Sequence, residues 1–381
     1  MASRRGFLSS VLRTAWAGGA VMDQALLRAV RARAQSNYEL PVLFDMERVA
    51  DGVYAAIAKP QSLLNSNAVI VENAEDLMIV DTHSKPSAVA SLVRQLRDSV
   101  SKKPVRYVVA SHFHWDHSQG LPAYRRLAPR ADFISSDATR RLVSEQTVPR
   151  LKASFEDLRR AADVYKKSAA ETKSAAQKTA FETMRRETLD YLHEMEQFTP
   201  ELPNVTLSRD LVIHDKAHDL HLAFRGRGHT AGDVIVHIPS KKTVITGDLA
   251  HGFFPFLGDA YPLEWPRTLL SVAEFEFTNI AGGHGAVFRS RDRLYQMGNY
   301  IEEVTDQVAR RRQRGMPLAA IAPEITPDKL RTFADGGFGA ASAEAIIRYR
   351  RLAPPAPSVV DVAADAVKSN VEQIYNALER G

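Results

Sequence analysis

The stretch Ser111-His112-Phe113-His114-Trp115-Asp116-His117 decides how this chain is read. It places three imidazoles and one carboxylate within the six positions from His112 to His117. A soluble core does not gather so many polar side chains unless something binds them, because each buried polar group needs a partner. Imidazole and carboxylate together suit divalent zinc, and less decisively iron or manganese. The apolar run Val105-Arg106-Tyr107-Val108-Val109-Ala110 just before it reads as a strand. Alternation along a strand would not aim His112, His114, Asp116 and His117 at one point, so a tight loop at the strand end is expected. The bland alternative is a hydrogen-bonded surface cluster.

Working outward, four more residues stand where an apolar run breaks into a loop. His229 lies in Gly228-His229-Thr230, after Leu220-His221-Leu222-Ala223-Phe224. Asp248 lies in Thr246-Gly247-Asp248, after Thr243-Val244-Ile245. His284 lies in Gly282-Gly283-His284-Gly285, after Phe277-Thr278-Asn279-Ile280. Asp81 ends the run Leu77-Met78-Ile79-Val80. Separate strand ends of this kind deliver side chains to one edge of a sheet sandwich, and the glycines let backbone pass close by.

The H-x-H-x-D-H run, followed in order by these residues, resembles the metallo-β-lactamase superfamily over roughly residues 45–290. The resemblance implies an α/β fold, a four-layer αββα sandwich. It also implies a dinuclear zinc site: His112, His114 and His229 as one ligand set, Asp116, His117 and His284 as the other, and Asp248 bridging. Iron or manganese also suits such donors. Lactamases often use a cysteine near Asp248's position; this chain has none. Asp81 would hold a ligand imidazole by its other N–H, or simply cap its strand. The implied activity is that of a metal-dependent hydrolase. A metal-bridged hydroxide, with Asp116 as catalytic residue, would attack an acyl-type bond: β-lactam, lactone, thioester or ester. No Gly-x-Ser-x-Gly elbow offers another route. The alternative within the same superfamily is a mononuclear iron oxidoreductase resembling the sulfur dioxygenases.

Charge narrows the partners. The net charge is +5. Residues 1–34 carry Arg4, Arg5, Arg13, Arg28, Arg31 and Arg33 against Asp23, which accounts for all of it. The remainder is balanced, so nucleic-acid binding has no electrostatic motive, and a small-molecule substrate is expected. Ser3-Arg4-Arg5-Gly6-Phe7-Leu8 resembles a twin-arginine export signal, and Val11 to Met22 is too short for a stable membrane span. With Ala32-Arg33-Ala34 as a small-x-small cleavage site, residues 1–34 read as a signal peptide of a periplasmic or secreted protein. A basic N-terminal tail is the alternative.

Residues 35–290 are expected to form the sandwich domain. Leu151 to Phe198 lacks Gly and Pro and is rich in Ala, Glu, Lys and Arg, so a helical insertion is expected over about 150–198, framed by Pro149 and Pro200. It would serve as a lid, as a contact for homo-oligomer assembly, or as a solvated decoration. The loop after Asp248 reads His251-Gly252-Phe253-Phe254-Pro255-Phe256. Phe253, Phe254 and Phe256 would wall a substrate pocket or pack beneath the insertion. His83 would line the cleft, His251 would be a hydrogen-bonded loop residue, and Asn65 and Asn67 would cap a loop or meet substrate. Residues 291–381 read as a helical C-terminal extension, with helices over Arg291–Arg314, Ala341–Leu352 and Asn370–Glu379. The last presents Val371, Ile374, Tyr375 and Leu378 on one face.

Overall fold

The structure is a computed structural model that describes residues 41–334 and 337–380. The expected leader, residues 1–34, lies outside the described residues.

Two sheets carry the fold. The first has seven strands in chain order: β1 (Phe44–Ala50), β2 (Val53–Ala58), β3 (Ala68–Glu72), β4 (Leu77–Val80), β5 (Val105–Val109), β6 (Asp132–Ser136) and β7 (Val205–Leu207). Pairing is antiparallel from β1 to β4 and parallel from β4 to β7. The second runs β12-β11-β10-β9-β8: β8 (Asp210–His214), β9 (Asp219–Phe224), β10 (Val234–Ile238), β11 (Thr243–Gly247) and β12 (Asn279–Gly282). Only β11 and β12 pair in parallel.

Period-two alternation shows why the sheets stack. In β4, Met78 and Val80 enter the core between the sheets, while Leu77 and Ile79 join a second core on the other face. In β10, Val234, Val236 and Ile238 face the first sheet and Ile235 faces outward to helices. A strand covered on both faces reads as a continuous apolar run, which is what these segments are.

Helices close the outer faces. Over the first sheet lie α1 (Pro86–Ser99), which buries Ala88, Val89, Leu92 and Leu96, and α3 (Leu121–Leu127), which follows the single turn α2 (Trp115–Ser118). The second sheet is covered by α6 (Trp265–Val272), α7 (Asp292–Gln313), α10 (Phe338–Tyr349) and α11 (Val359–Arg380), with the short α8 (Leu318–Ile321) and α9 (Arg331–Ala334) between them. Helix, sheet, sheet, helix is the four-layer αββα arrangement expected from the sequence. Among the described residues, no helix is long and apolar enough to cross a membrane.

The remaining helices are α4 (Asp137–Glu171) and α5 (Ala175–Met195), which fold back on each other between β6 and β7. Here the structure departs from the sequence reading. α4 starts well before Pro149, because the Ser136 hydroxyl accepts the Thr139 N–H and caps it. Pro149 sits inside the helix, with Leu142, Val143 and Leu151 buried on either side of it. The final helix likewise begins before Asn370. Ser358 Oγ accepts the Asp361 N–H at 3.1 Å while Asp361 Oδ2 accepts the Ser358 N–H at 3.1 Å, a reciprocal cap. Val367, Val371 and Ile374 then dock fully buried.

Candidate metal centre

One edge of the sandwich collects every candidate ligand. Asp81 follows β4, His112 follows β5, His229 lies in the β9–β10 loop, Asp248 follows β11 and His284 follows β12. His114 caps α2, and this single turn swings Asp116 and His117 towards the other strand ends. Gly283 is required here, because a Cβ would strike Asp248 Oδ1 and the His117 ring. Asp81 adopts φ 68°, a left-handed conformation that aspartate tolerates better than most residues.

The imidazole nitrogens converge. His114 Nδ1 lies 3.1 Å from His112 Nε2 and 2.8 Å from His229 Nε2. His284 Nε2 lies 3.2 Å from Asp116 Oδ2, 3.3 Å from Asp248 Oδ2 and 3.4 Å from His117 Nε2. Asp248 reaches both groups, 3.5 Å from His117 Nε2 and 3.6 Å from His229 Nε2. These form three overlapping sets with ligand atoms within 4.8 Å of one another: His112, His114 and His229; His112, His117 and Asp248; Asp116, His117 and His284. Tetrahedral zinc with Zn–N of about 2.0–2.1 Å spaces its ligand atoms by roughly 3.3 Å.

Hydrogen bonds at the far side of three of the rings fix which nitrogen keeps its lone pair. Ser111 Oγ donates to Asp81 Oδ2 and so accepts from His112 Nδ1–H at 3.0 Å. His114 donates from Nε2 to Asp259 Oδ2 at 2.9 Å, and His117 donates from Nδ1 to Asp81 Oδ2 at 2.9 Å. With metal bound, the inward nitrogens of His112, His114 and His117 would therefore all be free to offer lone pairs. Asp116 Oδ2 and Asp248 Oδ1 are buried, and the polar groups nearest them are ligand imidazoles, His284 Nε2 at 3.2 Å from Asp116 Oδ2 and His117 Nε2 at 3.5 Å from Asp248 Oδ1. Such a group is costly in an apolar setting unless a cation sits among its lone pairs. The donors thus suit bound metal.

The titration pattern points the same way. Burial, and then the neighbouring imidazoles, holds His112 and His229 well below the ordinary imidazole range. Burial also opposes charge on His284 and His117, but nearby carboxylates outweigh it. Asp248 and Asp116 push His284 up to about 9, and Asp116, Asp248 and Asp81 raise His117 well above its ordinary value. Against the same burial, His117 and His284 lower Asp116 and Asp248. Without metal, these two imidazoles carry the protons that balance the carboxylates.

The other candidates separate. Phe253 stacks on His284 with ring centroids 5.1 Å apart, and Phe256 stands over His114 at 5.6 Å, 47% exposed at the mouth of the site. Phe254 does not wall the pocket. It packs against Tyr300, Phe333 and Phe338 beneath the C-terminal helices, where a large apolar side chain gains more from full burial. His83 does not line the cleft either: it is fully buried, its Nδ1 against Ser66 O and its ring against Phe44, and burial lowers its pKa to about 3. His251 accepts the Phe253 N–H, as a loop histidine would. Asn67 bonds Gly282 O and Gly285 O and ties β3 to the His284 loop, and Asn65 accepts from Ser84. The residue that sequence reasoning missed is Asp259. It accepts from His114 and is gripped by both terminal nitrogens of Arg150 on α4, each at 2.7 Å. Only its place in the loop after Asp248 hinted at this.

A family model described as "Metallo-beta-lactamase superfamily" matches residues 62–289, more than half of the 381-residue chain. The chain belongs to the metallo-β-lactamase superfamily, and its clustered His and Asp donors support a metal-dependent, hydrolase-like function. Among solved structures it is similar to a metallo-beta-lactamase from Pontibacter korlensis, 17% identical, covering 68% of this chain and 99% of that one with TM-score 0.50. It is also similar to the stereoselective inverting sec-alkylsulfatase Pisa1 from Pseudomonas sp., 16% identical, covering 87% of this chain and 50% of that one with TM-score 0.59. At these identities the likeness concerns the fold.

Two outcomes are expected. Because His284 and His117 must lose protons before they can ligate, zinc affinity should rise between pH 6 and 9, with proton release measurable by calorimetry in buffers of different ionisation enthalpy. The metal-free protein should behave oppositely. Raised imidazole pKa values give stability that is present below about 6.5 and lost as pH climbs through His284's value of about 9, so its melting temperature should fall over that interval. Second, Asp259→Ala frees His114 to rotate and should weaken zinc binding about 10–100-fold in a chelator competition, with the far-ultraviolet circular dichroism unchanged.

Proposed function

We propose that this chain is a dinuclear zinc-dependent hydrolase that opens an acyl-type bond (β-lactam, lactone, thioester or ester) in a small substrate. The observation that carries the reading is the pair of donor triads, His112/His114/His229 and Asp116/His117/His284, with Asp248 between them. Zinc there would supply Lewis acidity towards a carbonyl oxygen and a nucleophile derived from water at neutral pH.

The chain's own residues do the rest. Asp81 fixes the His117 ring and, through Ser111, the His112 ring, and Asp259 fixes His114, so the ligands are oriented before substrate arrives. Asp116, buried beside His117 and His284, would orient the attacking water. Phe253 and Phe256 shield the mouth and limit bulk water. A site with two triads and a carboxylate between them offers more donors than one iron needs, which weighs against the oxidoreductase alternative.

The test is a hydrolysis screen of zinc-loaded protein against acyl, lactam, lactone and thioester substrates. Asp116→Ala should lower kcat by about 100-fold or more while retaining its fold, and His112→Ala should lose metal first and activity with it. Turnover that consumes dioxygen and needs iron would contradict the reading. We further propose that residues 1–34 direct twin-arginine export to the periplasm. The support is Arg4-Arg5 and the Ala32-Arg33-Ala34 site. Changing Arg4 and Arg5 to Lys should strand the chain in the cytoplasm, and an unchanged location would refute this.

A further inference from the structure

The α4–α5 hairpin is built into the site as a wall. Arg150 on α4 grips Asp259, whose carboxylate also takes the His114 N–H. Glu194 on α5 accepts from Ser87 Oγ at 2.6 Å, and Glu187 accepts the Ser62 N–H at 2.7 Å. These ties hold both helices against the sandwich body. Between hairpin and body lies a cavity of about 250 Å³. Leu151 and Leu158 of α4, Tyr191 of α5, Leu63 and Trp115 supply its apolar lining, and His114 lines it too, so it reaches the metal centre.

The polar groups around this cavity are almost all satisfied. The Arg150 guanidinium is neutralised by Asp259 through two bonds of 2.7 Å. Tyr191 Oη donates to Gln119 Oε1 at 2.8 Å, and Ser154 Oγ donates to the Leu151 carbonyl at 2.7 Å. The exception is Thr147, whose buried hydroxyl has no partner. A charged ligand group entering here would lose its hydration and meet no counter-charge. An apolar group would shed water against Leu, Trp and Tyr side chains, and one hydroxyl would remain for a single ether or carbonyl oxygen. A dry cavity of roughly 150 Å³ suffices for benzene, so this one has room for a ring with a short chain, or for a medium-length alkyl chain.

We propose that this cavity binds an uncharged hydrophobic group of the substrate, an aryl ring or medium alkyl chain carried next to the bond presented at the metal centre, and that the helical hairpin thereby sets substrate choice. The hydrolase reading enters only in saying which bond that is; the binding site stands on its own.

Two arms of one experiment keep the claims apart. In the first, 1-alkanols from butanol to octanol are titrated against the full zinc-loaded chain and followed by Trp115 fluorescence. The dissociation constant should fall roughly two- to fourfold per methylene until the cavity is full. Hexyltrimethylammonium should not bind. Leu158→Glu should weaken octanol at least tenfold, and Leu158→Trp, which stays apolar and fills the space, should do the same. Chain-length-independent binding, or equal binding by both variants, overturns the proposal. In the second arm, p-nitrophenyl esters from acetate to octanoate should show KM falling with acyl length in the wild type but not in Leu158→Trp. Alkanol binding without hydrolysis of any ester, or of the lactam, lactone and thioester substrates screened above, would sink the hydrolase reading and support the cavity. Ester hydrolysis with no dependence on acyl length and no alkanol binding would do the reverse.

Discussion

Lone pairs pointing at lone pairs are the constraint on which the rest of this structure depends. In the ligating form the inward nitrogens of His112, His114 and His117 all present lone pairs to one small volume, because each ring donates outward to Ser111, Asp259 or Asp81. Asp116 and Asp248 add carboxylate oxygens to the same small volume. Bound metal would relieve such a cluster in a buried setting. Without metal it must hold protons on His117 and His284, which is a different electrostatic state of the same residues. Metal, protons and fold stability are therefore linked at one place.

The sandwich exists, in this light, to bring distant chain segments to that place. Its inner core is apolar and independent of the ligands: Val53, Met78, Val236 and Ile245 pack between the sheets. The ligands sit on the loops beyond the strand ends, where backbone direction changes and side chains can converge. The C-terminal helices cover the second sheet and grip the loop after Asp248 through Arg293, a buried guanidinium that donates to His251 O and Phe253 O. The α4–α5 hairpin reaches His114 from the other side through Arg150 and Asp259. Additions to the frame thus support the centre from two directions.

The centre and the layer order were legible in the sequence because both are written in local pattern. A dense H-x-H-x-D-H run and apolar stretches ending in Asp or His need no knowledge of distant contacts. What was not legible depends on packing between segments far apart in the chain. Asp259 and Arg150 look like ordinary surface charges until β6, α4 and the loop after Asp248 meet. Phe253, Phe254 and Phe256 look alike in sequence, yet one stacks on His284, one is buried under helices and one is exposed. His83 stands two residues after Asp81, but its φ of 71° turns it into the core. The start of α4 is hidden in the sequence because Pro149 resembles a helix boundary, while the true cap, Ser136, sits at the end of a strand.

The central proposal is that this edge of the sandwich binds two metals. Anomalous diffraction at the zinc edge, from crystals of zinc-loaded protein, tests it most directly. The account predicts two peaks about 3.5–4 Å apart, one among His112, His114 and His229 and the other among Asp116, His117 and His284, with Asp248 reaching both. A single peak at full occupancy, with the second triad closed by hydrogen bonds among its own side chains, would contradict it.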